Sequence, residues 1–140
     1  MRSSRRVLAF KVAYAILAAN FILPSIVYAV APDQALESFT RLGGALGGGP
    51  YPWTEESRFW HVLGVGNVAT LGFCCVLLLV DLERFYPVLF PLVFLKGCSV
   101  VGFLAAWVAS RYPAFLAASL FDLATCAAFV YFARGARRAA

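Results

Sequence analysis

The chain has 140 residues, 62% of them hydrophobic and 14% charged, with a net charge of +5 and a mean hydropathy of +0.80. So small a charged fraction, against the ~25% of ordinary soluble domains, excludes a water-soluble globular fold. The cationic surplus flanks apolar stretches instead of forming a basic patch, so it fits membrane topology and anionic lipid headgroups and excludes a nucleic-acid footprint.

Four apolar stretches, about 7–30, 61–80, 88–110 and 114–133, each approach the ~20 residues that cross ~30 Å of hydrocarbon as a helix. The expected fold is therefore an all-α integral membrane protein, one transmembrane domain over 1–140 with four transmembrane helices in an up-down antiparallel bundle. The first stretch follows Arg2, Arg5 and Arg6 and ends in small residues, as a signal peptide does. Its length exceeds the ~7–15 residues of a signal h-region, so it is expected to be a retained span. Near its middle stands Asn20, and Pro24 four residues on cannot donate to the Asn20 carbonyl, which predicts a kink with a free acceptor.

The external loop 31–60, APDQALESFTRLGGALGGGPYPWTEESRFW, is the only sizeable piece outside the spans. Asp33 is placed to cap a short amphipathic helix carrying Leu36, Phe39 and Leu42 on one side, and Gly43 with Gly44 to end it. That helix is expected to lie flat at the interface. Thr54 is placed to cap the next helix, with Glu55 and Glu56 in its first turn. GALGGG lacks the strand, helix and Gly spacing of a phosphate cradle.

In the second span, HVLGVGNVATLGFCC, Asn67, Thr70 and Cys74 follow i, i+3, i+7 and share one face. The short DLERFYP connection leads to the third, PLVFLKGCSVVGFLAAW. Here Lys96 stands alone among apolar residues, with Ser99 on the same face. The fourth span, entered through Arg111, Tyr112 and Pro113, carries Asp122, Thr125 and Cys126. An intramembrane ion nearly always finds a partner, so these groups are expected to face protein or water. Counted from the Arg111–Pro113 turn, Lys96 lies about fifteen residues down and Asp122 about ten, a depth difference of roughly 7 Å. On that count Thr70 and Cys74 are better levelled with Lys96, while Asp122 is nearer the depth of Asn67 and Asn20. A direct or water-mediated Lys96–Asp122 pair and two separate polar sites both remain open.

Seven cations (Arg2, Arg5, Arg6, Arg84, Arg134, Arg137, Arg138) fall on the side of the termini against three (Arg41, Arg58, Arg111) opposite. The positive-inside rule then puts both termini in the cytoplasm, with a bacterial-type inner (plasma) membrane as the expected location. Tyr28, Tyr51, Trp53, Trp60, Trp107 and Tyr112 fall at the outer interface, as an aromatic belt requires.

Cys74, Cys75, Cys98 and Cys126 all lie inside spans with no CxxC pair, so thiol–disulfide chemistry has no motif here. His61, the sole histidine, cannot by itself ligate haem or metal. No cofactor, metal ligand set or catalytic residue is expected. The candidate binding or intramembrane polar site is Asn20, Asn67, Thr70, Lys96, Ser99, Asp122 and Thr125. Three function classes fit: a non-catalytic accessory, assembly or binding subunit of a membrane complex, an oligomeric carrier or pore for a proton, ion or small solute, and a small membrane enzyme acting on a lipophilic substrate. The small extramembrane exposure favours the first, with other membrane subunits or a homo-oligomer as partners besides the bilayer. Small residues such as Gly64, Gly72, Cys98 and Gly102 permit the close helix packing that such a bundle needs.

Overall fold

The computed structural model describes residues 2–52 and 58–139. Among them every regular element is a helix: α1 Arg2–Val30, α2 Pro32–Ala45, α3 Arg58–Val80, a single-turn α4 Leu82–Phe85, α5 Leu89–Ser110 and α6 Pro113–Arg137, with a 3₁₀ turn Tyr86–Val88 joining α4 to α5. Three stretches, Ser4–Val30, Leu82–Ser110 and Pro113–Arg137, are long and apolar enough to cross a membrane by length and composition. Gly64–Val80 is a shorter apolar stretch, the part of α3 whose side chains are described. The chain is a helical protein of membrane character.

Helix limits follow local chemistry. Pro disfavours a helical residue before it, and Ala31, preceding Pro32, has φ −144° and ψ 64°. The chain therefore breaks there, and Pro32 starts α2 in the first-turn position where its missing N–H is harmless. Asp33 lies in that first turn, suited to the helix dipole, but caps nothing; Ala31 holds the cap position without a side-chain bond. The helix also runs past Gly43 and Gly44. It closes where Gly48 N–H donates to the Gly43 carbonyl (2.9 Å) and Gly47 N–H to the Gly44 carbonyl (3.0 Å), with Gly47 at φ 81°. This is the paired-bond ending built on a left-handed glycine, three residues later than the sequence suggested. Gly43 serves a different end, since a Cβ there would collide with the Tyr112 ring. The expected Thr54 cap with Glu55 and Glu56 lies outside the described residues, as do the side chains of Trp53, Trp60 and His61.

α1 continues unbroken through Pro24, whose neighbour Ser25 donates to the Ile22 carbonyl at 2.8 Å. Asp81 caps α4, its Oδ1 accepting from Arg84 N–H at 3.0 Å. α5 stops at Arg111, in the left-handed region at φ 56°, with its guanidinium over the Trp107 ring. Tyr112 is extended and Pro113 opens α6.

Across the bundle the helices run α3, α1, α6, α5, so the first and last long helices meet at its centre. α5 lies along α6 and α1 along α3, α1 and α6 join the two pairs, and α3 and α5 meet only sparingly. The core is a stack of Phe10, Tyr14, Ala18 and Phe21 from α1, Leu71, Cys75 and Leu78 from α3, Leu89 and Leu92 from α5, and Phe129, Ala133 and Ala136 from α6. Gly72 lets α3 close on α1, because a Cβ there would come within 2.6 Å of Ile22. A second cluster at the other end gathers Tyr112 and Phe115 with Phe39 of α2, Tyr51, Phe103 and Trp107. Tyr112 OH donates to the Thr40 carbonyl at 3.1 Å, so α2 is tied down over the α5–α6 turn.

Candidate functional site

The polar interior is built on the α5–α6 pair. Two bonds set its register: Ser119 Oγ donates to the Val100 carbonyl (3.0 Å) and the Cys126 thiol to the Val93 carbonyl (3.7 Å). Interpolated between these pairs, Lys96 stands opposite Leu123, one residue or about 1.5 Å from Asp122. The 7 Å offset obtained by counting from the turn is thus corrected. Extended Tyr112 carries the chain back down, so α6 starts level with about Ala106 instead of with the end of α5.

Lys96 Nζ donates to Asp122 Oδ1 at 2.5 Å, with side-chain exposures of 12% and 5%. The ammonium also sits 5.0 Å from the centroid of the Phe21 ring, brought in by α1. Three helices therefore converge on one ion pair: α5 supplies the cation, α6 the anion and α1 an aromatic face that favours a cation in a desolvated place. Two turns toward the chain termini, Tyr14 OH donates to the Phe129 carbonyl at 2.9 Å, a buried bond between residues 115 apart. Phe10 and Phe129 pack on that tyrosine ring, and Phe21 packs on Phe129. Phe21 thus lies under the ammonium and against the ring of the residue that accepts from Tyr14.

No family model, curated protein or solved structure matches the chain.

The remaining candidate residues divide sharply. Thr125 is buried but donates to Phe121 of its own helix, and half-buried Ser99 likewise to Leu95. Neither completes the ion pair. Asn20, Asn67 and Thr70 are exposed on the outer surface of the bundle, and Thr70 donates to Gly66 of its own helix. Within this chain they do not face the interior that holds Lys96 and Asp122. At ~100° per residue, the stripe of α1 that packs inward is Phe10, Tyr14, Ala18, Phe21 and Ser25, which leaves Asn20 facing away. On α3 the inward stripe is Val68, Leu71, Gly72, Cys75 and Leu78, roughly a quarter-turn from Asn67 and Thr70. Asn20 and Asn67 make no side-chain hydrogen bond among the described residues.

Two contributors escaped the sequence reading. Tyr14 carried a usable signal, since a tyrosine inside an apolar span needs a partner for its hydroxyl. Phe21 carried none, because one phenylalanine among many does not announce that it will lie under an ammonium. Cys74, Cys75, Cys98 and Cys126 are free thiols, and no cluster of His, Cys, Asp or Glu among the described residues can hold a metal ion.

Chemically the pair is closed on itself. Each ion satisfies the other, both are nearly out of reach of solvent, and an aromatic ring covers the cation. Such an arrangement fixes which helix faces meet.

Proposed function

We propose that the chain is a non-catalytic, four-span accessory or assembly subunit of a membrane complex, docking other subunits through the outer faces of α1 and α3. One observation carries this reading: Asn20, Asn67 and Thr70 lie uncovered on the outer faces of apolar helices, while Lys96, Asp122, Tyr14 and Ser119 are satisfied inside. Hydrocarbon offers an amide no hydrogen-bond partner, whereas a neighbouring helix does. The ion pair then acts as a lock that holds α5 and α6 in register and α1 against them, leaving the docking face rigid. Its near-complete closure speaks against use as a carrier site.

In this arrangement α3 crosses as the fourth span, and α2 lies at the interface opposite the termini, its exposed Glu37–Arg41 pair toward water and Phe39 toward the aromatic cluster. Arg6, Arg134 and Arg138 line one groove, and Arg137 meets Glu83 at the same end, so the cation-rich end carries the termini and faces the cytoplasm.

The test replaces Asn20 and Asn67 by Leu, followed by native electrophoresis of gently solubilised membranes. The parent chain migrates in a larger assembly and the double variant runs as a free bundle. Unchanged migration of the variant in that assembly overturns the docking face.

A further inference from the structure

At the end of the bundle that carries the termini, α1 and α6 line an open groove of about 560 Å³. This lies within the ~300–1,000 Å³ of small-ligand sites. Arg6, Arg134 and Arg138 stand around it, and none of the three is in an ion pair among the described residues. The nearby Glu83 is engaged by Arg137, and Asp81 caps its own helix. Further into the span the lining turns apolar, with Ala9, Ala127 and Val130. Gly135 lies in the lining, and nothing stands within 4 Å of where its Cβ would be. Tyr131, 75% exposed, flanks the site where an amphipathic ring suits the membrane–water boundary.

Three uncompensated guanidinium groups above a short apolar trough match one class of ligand: a phosphate-bearing headgroup continuous with acyl chains. We propose that this groove is a binding site for an anionic phospholipid, its phosphate held by Arg6, Arg134 and Arg138 and the start of an acyl chain lying along Ala9, Ala127 and Val130. Guanidinium forks suit phosphate oxygens, and basic pockets between spans recognise anionic headgroups in this way. The proposal rests on the membrane-spanning reading but not on the docking of other subunits.

The test is native mass spectrometry of the full chain in mild detergent, offered dioleoyl phosphatidylglycerol, dioleoyl phosphatidylcholine or inorganic phosphate. Phosphatidylglycerol is retained as a single adduct and the other two are not. Arg134→Gln with Arg138→Gln weakens retention on the order of 30-fold, about fivefold for each arginine near the surface. Gly135→Leu, which adds bulk to the groove and changes no charge, also lowers it. Equal retention of the two lipids, or full retention by the Gly135→Leu variant, reduces the effect to general surface electrostatics and overturns the site. Phosphate bound as well as the lipid overturns the lipid assignment. Should Gly135→Leu fail to fold by circular dichroism, the arginine variants decide. Release of the parent chain from membranes by alkaline carbonate would instead show that the membrane-spanning reading had failed.

Discussion

Removing one partner of the Lys96–Asp122 pair and removing both should have very different consequences. At about 3 Å between charges and an effective dielectric near 20, the attraction is about 5–7 kcal/mol. Desolvation of each ion offsets several kcal/mol of that, so the intact pair contributes little net stability. The balance changes when one ion is stranded. Asp122→Asn leaves the Lys96 ammonium, 12% exposed, with only an amide and the Phe21 ring for company, and about 3–5 kcal/mol should be lost. Lys96→Met strands Asp122 at 5% exposure and should cost a similar amount, including the cation–π contact. The double variant, which buries no ion, should lose only about 1 kcal/mol, leaving a coupling of several kcal/mol. Unfolding of all four proteins in mixed detergent micelles, followed by far-ultraviolet circular dichroism, gives the cycle. Losses that add to within about 0.5 kcal/mol would refute the reasoning, since independent sites add to that precision.

Three further outcomes follow from named contacts. Tyr14→Phe should cost about 0.6–1 kcal/mol in the same assay, because the bond to the Phe129 carbonyl goes while the ring packing stays; an unchanged midpoint would show the bond to be idle. Gly72→Leu should push α3 off Ile22 and destabilise by at least 1–3 kcal/mol, the scale of overpacking, whereas Gly64→Leu, where a Cβ meets nothing, should be nearly neutral; equal effects at the two sites would contradict the α1–α3 contact. Ser38→Cys on exposed α2 should react with an impermeant thiol reagent applied from outside the cell, and labelling only from the cytoplasmic face would invert the topology.

Composition and span length made the helical membrane class legible, because a mean hydropathy this high leaves no other solvent for the chain. Lys96 and Asp122 stood out for the same reason: each is an ion in an apolar run. Their pairing was not legible, since it depends on register, and register depends on the drop made by one extended residue, Tyr112, after a left-handed Arg111. Helical spacing grouped Asn67 with Thr70 correctly but could not tell whether that face is covered. The covered face of α3 is chosen by Gly72, whose missing side chain admits α1, and hydrophobic periodicity is nearly silent in a helix that is apolar all round. In α2 the sequence pointed to Gly43 and Gly44 as the terminators. Gly47 became the left-handed one because Gly43 is held in the helix beneath Tyr112.

The claim that other protein covers the outer faces of α1 and α3 is tested most directly by the mass of the intact assembly after extraction in its native lipid, without exposure to harsh detergent. A discrete mass well above the 15.2 kDa of one chain, lost when Asn20 and Asn67 are both leucine, is the expected result. A particle holding one chain and lipid alone would contradict it.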